Sequence, residues 1–137
     1  MKYLLDTNAV SALMKANPAL VERLQQVERS NVTIPQPVIA EIEYGISRLP
    51  KSKRRAALRQ RFDLICVELG RSPWTDSVSE HFGTIKAGLE AAGKPIEDFD
   101  AAIAAHALVH GAVLVTANLD HMTRVPGLRV EDWAATG

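Results

Sequence analysis

The chain has 137 residues, 47% of them hydrophobic and 23% charged, with a formal net charge of zero. This length and balance describe one globular domain and exclude a disordered tail or a multidomain assembly. A domain of this size buries roughly two thirds of its unfolded surface, enough for a core without disulfide or zinc staples. The single Cys66 excludes an internal disulfide and predicts a reducing, cytoplasmic setting.

Residues 2–5 form an apolar run that predicts a first strand, and Asp6 interrupts it too early for the core of a secretion signal. From Thr7, the spacing of Val10 and Leu13 predicts a helix, which resumes at Leu20 and Leu24 after a break at Asn17 and Pro18. Residues 31–34 predict a second strand. Pro37 suits the first turn of a helix that buries Val38, Ile42 and Ile46. A basic helix over 51–62 follows, and the apolar run 64–69, with Ile65 and Val67, predicts a third strand that would hold Cys66 as an inert buried thiol. A long helix over 76–92 ends at Gly93, and Asp98 or Asp100 opens the next. Residues 101–119 carry no Asp, Glu, Lys or Arg, almost the length of a membrane span. Their Ala-rich helical pattern gives way at Gly111 to the β-branched stretch 112–116, so a buried helix followed by a fourth strand is expected, with no membrane partner. Residues 128–130 predict a short edge strand.

Strands that alternate with helices in this way imply α/β architecture, with a mostly parallel central sheet of four to five strands sandwiched between helices, in a single domain over 1–137. Such sheets bind ligands outside the carboxyl ends of their strands. Asp6 follows the first strand, and Asn118 and Asp120 follow the fourth. Glu41 interrupts the apolar side of its helix, and Asp100 stands at the start of the least charged helix. Carboxylates in such settings are costly to bury unless neutralised, and oxygen-only ligands favour Mg²⁺ or Mn²⁺ over zinc. Asp6 and Asp100 also suit helix caps, and that reading stays open beside the metal one. Glu43, two residues from Glu41, falls on another face of the helix and is expected in solvent. His106 and His110 stand one turn apart but lack a third metal ligand in register, which favours packing or exposure. Trp74 and Trp133 suit a core edge or a partner interface better than stacking on a base.

Charge is unevenly spread. Seven basic residues and no acidic one lie between Arg48 and Arg61, leaving nine basic against sixteen acidic residues elsewhere. Two readings fit that segment: a solvated helix face, or a surface that follows a phosphate backbone.

Four segments, Leu4-Leu5-Asp6-Thr7-Asn8, Val38 to Gly45 around Glu41, Asp98 to Ala107 around Asp100, and Leu114 to Asp120, resemble in order and spacing the PIN-domain ribonucleases. In length, and in an ending that runs from Pro126 to Trp133, the chain resembles the VapC toxins of bacterial toxin–antitoxin pairs. The resemblance implies a PIN-like fold and a metal-dependent endoribonuclease in which metal-activated water attacks a phosphodiester of RNA, such as a transfer RNA. It implies Mg²⁺, with Mn²⁺ as a substitute, held by Asp6 and Asp100, with Glu41 as the third acidic residue. It selects Asp100 over Asp98, because Ile103-Ala104-Ala105 follows at the family's spacing. Asn118 stands at a fourth site that is often Asp in the family, and Asp120 is the candidate for the missing carboxylate. A VapB-like antitoxin and a homodimer are the implied partners. The Asn118 departure leaves open an alternative, a non-catalytic PIN-like module that binds RNA or serves as a scaffold.

Overall fold

The computed structural model describes residues 1–134; residues 135–137 of the expected 1–137 domain lie outside the described residues. The chain runs β1 (Tyr3–Leu5), α1 (Thr7–Met14), α2 (Pro18–Gln25), β2 (Val32–Pro35), α3 (Gln36–Ser47), α4 (Lys53–Glu68), β3 (Gly70–Ser72), α5 (Asp76–Ala91), α6 (Asp98–Val109), β4 (Val113–Val115), α7 (Leu119–Met122) and β5 (Val130–Glu131). All five strands join one sheet in the order β3-β2-β1-β4-β5, and every pairing is parallel. The sheet is therefore α/β and slightly simpler than expected, being wholly rather than mostly parallel.

Parallel neighbours need crossovers, and right-handed crossovers put helices on opposite faces when the strand order reverses. From β1 the chain steps outward through β2 to β3, then returns across the sheet to β4 and β5. Helices α1 to α4 accordingly pack on one another and α5 packs along α6, while α3 also meets α6. The reversal occurs at β1 and β4, so the crevice at the carboxyl ends of these two strands is where such a sheet receives a ligand. The core between the layers holds Leu4, Leu5, Val32, Ile34, Leu114 and Val115 of the strands, with Val10, Val38, Phe62 and Ile103 of the helices. Trp133 closes one side, tilted against Tyr3 at 5.0 Å between ring centroids.

One element was misplaced by the sequence pattern. Residues 64–69, expected as a strand, continue α4 to Glu68, and β3 follows at Gly70–Ser72. Leu64 and Val67 face solvent while Leu69 is buried. Helix continuity, set from Ser52 accepting the Arg55 N–H at 3.1 Å, outweighs the weak β preference of the run. Gly-Arg-Ser carries no strand signature and is a strand only because β2 pairs with it. Cys66 thus lies half-buried on a helix, where desolvation pushes its thiol pKa up. Among the described residues no helix is long and apolar enough to cross a membrane.

Helix α6 ends as the sequence indicated. Gly111 adopts φ +59°, and the Gly111 and Ala112 N–H groups close the last turn on Leu108 and Ala107 carbonyls. A Cβ added at Gly111 would meet nothing within 4 Å, so substitution there costs only the left-handed backbone. Gly111→Ala should lower unfolding free energy by about 1 kcal/mol and Gly111→Asn by less, read from urea denaturation midpoints.

Candidate active site

The carboxyl end of β1 carries Asp6, which is only 4% exposed. Its position is fixed by the strand before it and the helix after it. Its N–H donates to the Val115 carbonyl of β4 at 3.1 Å, and its Oδ1 accepts from the Ala9 N–H at 2.8 Å as the N-cap of α1. The cap reading therefore holds for Asp6, and it coexists with a place in a larger cluster. Burial raises the Asp6 pKa; hydrogen bonds from Thr116 and Ala9 oppose this, and the charges of Asp100 and Glu41 add to it.

Asp100 is not a cap. Helix α6 starts at Asp98 behind Glu97, and Asp100 lies in its first turn with a side chain 24% exposed. Its pKa is also raised, first by burial, then by Glu41 and Glu97, while His121 in its protonated form opposes the rise. Glu41, from the middle of α3, accepts a hydrogen bond from the Thr7 hydroxyl at 2.5 Å, which ties α3 to the first turn of α1. Three elements distant in sequence thus bring Asp6, Glu41 and Asp100 within electrostatic range of one another. A shallow cleft of about 260 Å³ runs from Glu41 past Thr7, Ser11 and Lys15 to Leu58 of α4.

The fourth strand contributes differently from expectation. Asn118 N-caps α7 without a side-chain cap bond; its N–H donates to the Thr116 hydroxyl at 2.9 Å. Its side-chain amide instead donates to Nδ1 of His121 at 3.2 Å, and the same Nδ1 stands 4.0 Å from Oδ2 of Asp100. Asp120 is exposed, and its charge is not among those acting on Asp6 or Asp100. Two residues along a helix is the wrong interval for sharing a face with Asn118, whereas His121 lies three away. His121 is the residue that sequence reading missed, and this i,i+3 spacing from Asn118 was the available signal.

The remaining candidates lie elsewhere. Glu43 is not simply solvated: Arg59 of α4 pairs with it at 2.7 Å and holds its pKa low. His106 Nδ1 and His110 Nε2 both meet the Ser72 hydroxyl, at 2.8 and 2.9 Å, joining α6 to β3. Burial and the charge of His110 push His106 down to about 4, so it is neutral and structural at ordinary pH. Trp74 is half-exposed and packs on Phe82 and edgewise on His106, both with centroids at 5.9 Å.

Among the described residues, no three His, Cys, Asp or Glu side chains are close enough to hold an ion together as they stand. The donor set nevertheless fits a hard divalent cation: a desolvated carboxylate facing two others, with no Lys or Arg side chain among the described residues bonded to any of them. For both acids the folded protein holds its proton more tightly than the unfolded chain, so stability falls as pH rises from the unfolded pKa through the folded one. At neutral pH without metal, Asp100→Asn should therefore raise the melting temperature by about 3 °C, the shift expected for somewhat under 1 kcal/mol in a domain of this size. A fall of several degrees would show that the Asp100 carboxylate is stabilising.

Comparison with known proteins places this geometry. The PIN domain family model matches residues 3–128. The tRNA(fMet)-specific endonuclease VapC of Shigella flexneri is 31% identical over 134 residues, covering 98% of this chain and 99% of that protein. Ribonuclease VapC2 of Haemophilus influenzae strain Rd is 35% identical, covering 97% and 98%. Among solved structures, VapBC2 of Rickettsia felis bound to a promoter DNA fragment superposes with a TM-score of 0.88 at 29% identity, covering 97% of this chain and 99% of that one. VapBC-1 of nontypeable Haemophilus influenzae gives 0.85 at 28% identity, covering 98% and 100%. A buried aspartate at the end of the central strand, with an acidic partner on each of two helices, thus occurs in a chain that belongs to the PIN domain family, among its VapC-type ribonucleases.

Proposed function

We propose that the chain is a Mg²⁺-dependent endoribonuclease, the toxin of a type II toxin–antitoxin pair, acting in the cytoplasm as a homodimer and restrained by a VapB-like antitoxin. The observation that carries this reading is the meeting of Asp6, Glu41 and Asp100 from three separate elements beside the switch point of the sheet. Asp6 and Asp100 would hold Mg²⁺, or Mn²⁺ in its place. The ion, when bound, supplies Lewis acidity that lowers the pKa of water and stabilises charge on the phosphoryl oxygens. The protein's own groups do the positioning. The Ala9 N–H fixes one oxygen of Asp6, and the Thr7 hydroxyl fixes Oε1 of Glu41. The other Glu41 oxygen accepts a hydrogen bond from the attacking water and aims it at phosphorus. Asn118 offers a neutral oxygen, whereas Asp120 is exposed on α7 and would act on the site only from its rim.

Two relatives named as tRNA(fMet)-specific endonucleases make transfer RNA the first substrate to test. Asp6→Asn and Asp100→Asn should each lower its cleavage by at least about 100-fold with the circular-dichroism spectrum unchanged, and EDTA should abolish wild-type cleavage. Metal-independent RNA binding without cleavage would favour the non-catalytic alternative.

The antitoxin reading has a surface to act on. Helices α1, α2 and α4 border a groove of about 380 Å³ whose apolar residues include Leu13, Met14, Val21, Leu24, Leu64 and Ile65, with Lys15, Gln25, Arg29, Arg61 and Glu68 also lining it. Leu64 is 60% exposed there, a large apolar side chain without cover. Solved relatives are VapB–VapC complexes, which supports an antitoxin segment as its occupant. Leu64→Glu should weaken capture of the co-expressed VapB-like chain at least about tenfold and leave RNA cleavage intact.

The basic segment divides. Arg59 is bound to Glu43 and Asp63, Arg55 reaches the Leu49 carbonyl, and Arg61 reaches that of Met14. Lys51, Lys53 and Arg54 are exposed at the start of α4, whose Leu58 borders the Glu41 cleft. Replacing these three with Ala should weaken RNA binding and flatten its salt dependence by about one unit of slope for each phosphate that is no longer neutralised. Parallel salt lines would instead assign them to solvent.

A further inference from the structure

The acidic cluster poses a problem that its carboxylates cannot solve. A polyanionic substrate must approach Asp6, Glu41 and Asp100, with Glu97 adding its charge beside Asp100. Hydrogen-bond donors at the rim are needed to seat a phosphate, and the donor must be held rigidly to be of use.

His121 meets both requirements. It stands on α7, which is anchored by fully buried Met122 one residue further on and whose turn is closed by the Thr123 hydroxyl donating to the Leu119 carbonyl at 2.7 Å. Its ring is oriented by Asn118, whose amide donates to Nδ1 at 3.2 Å. An Nδ1 that accepts leaves the neutral ring its proton on Nε2. Nδ1 is turned into the site, 4.0 Å from Asp100 Oδ2, while the side chain as a whole is 46% exposed. Nε2 makes no hydrogen bond among the described residues. The outcome is a fixed N–H donor at the open edge of the cluster. The neutral Asn118 then gains a role of its own, since an aspartate there could not donate to Nδ1.

We propose that His121, oriented by Asn118, binds a non-bridging oxygen of the substrate phosphate through its Nε2–H and so positions RNA against the Asp6–Glu41–Asp100 cluster. This rests on the ribonuclease reading of the site.

The test compares the wild type with His121→Ala, His121→Gln and His121→Asn. Transfer RNA affinity is measured by fluorescence anisotropy in EDTA, Mn²⁺ affinity by calorimetry, and cleavage by single-turnover kinetics. The Gln amide nitrogen falls near the position of Nε2, whereas the shorter Asn amide reaches only the position of Nδ1. His121→Ala and His121→Asn should bind RNA about tenfold more weakly, the loss expected for one hydrogen bond to a charged oxygen. His121→Gln should recover most of that affinity, and all three should bind Mn²⁺ within about twofold of wild type.

Unchanged RNA affinity in His121→Ala, with wild-type cleavage present, overturns the proposal and leaves the ribonuclease reading standing. Equal behaviour of the Gln and Asn variants overturns it too, because placement of the donor would then not matter. Loss of Mn²⁺ affinity would make His121 a metal ligand instead. A wild type that does not cleave RNA defeats the underlying reading, and the proposal falls with it.

Discussion

The structure turns on one unfavourable arrangement, an aspartate carboxylate almost wholly removed from water at the end of the central strand and facing two other acidic side chains. Burying one ionised carboxylate is expensive, and grouping three adds repulsion. The fold tolerates it by giving Asp6 local donors, Ala9 N–H and Thr116, and by tying Glu41 to Thr7. These contacts keep the carboxylates in place without neutralising them. The remaining deficit suits the crevice to the cation site proposed there, because an ion bound in it would relieve repulsion already present in the folded chain.

The topology determines where that cost can be concentrated. The all-parallel sheet places every strand's carboxyl end on one edge, and the reversal of strand order at β1 and β4 opens the crevice there. Short strands and tight ends make the register exact: β1 pairs with β4 through all three of its residues, so Asp6 and the Thr116-to-His121 segment emerge side by side. Glu41 and Asp100 arrive from helices packed against each other. The chemistry is thus divided among four segments, none of which could assemble it alone.

Much of this was legible in the residues. A lone acid ending an apolar run, another on the apolar side of a helix, and a third in the first turn of a helix with no charged residue beyond that turn are local conflicts between sequence and burial, and such conflicts gather at functional sites. The third strand was not legible, because Gly70-Arg71-Ser72 has no strand pattern and the β-branched residues before it were absorbed into a capped helix. His121 escaped for a different reason: a helix of four residues barely announces its period, so the i,i+3 spacing of Asn118 and His121 was a weak signal beside the nearer carboxylate of Asp120. The pairing of His106 and His110 through Ser72 is a tertiary fact, since Ser72 reaches them across more than thirty residues.

If the cluster is held in deficit until a divalent cation binds, the melting temperature must depend on Mn²⁺ concentration. Binding to the folded chain alone predicts a rise that grows with the logarithm of free Mn²⁺, reaching about 2.7 kcal/mol of stabilisation at a hundred times the dissociation constant. That rise is expected in the wild type and should be nearly absent in the Asp6→Asn, Asp100→Asn double variant. A wild type indifferent to Mn²⁺, or an equal rise in the doubly substituted chain, would contradict it.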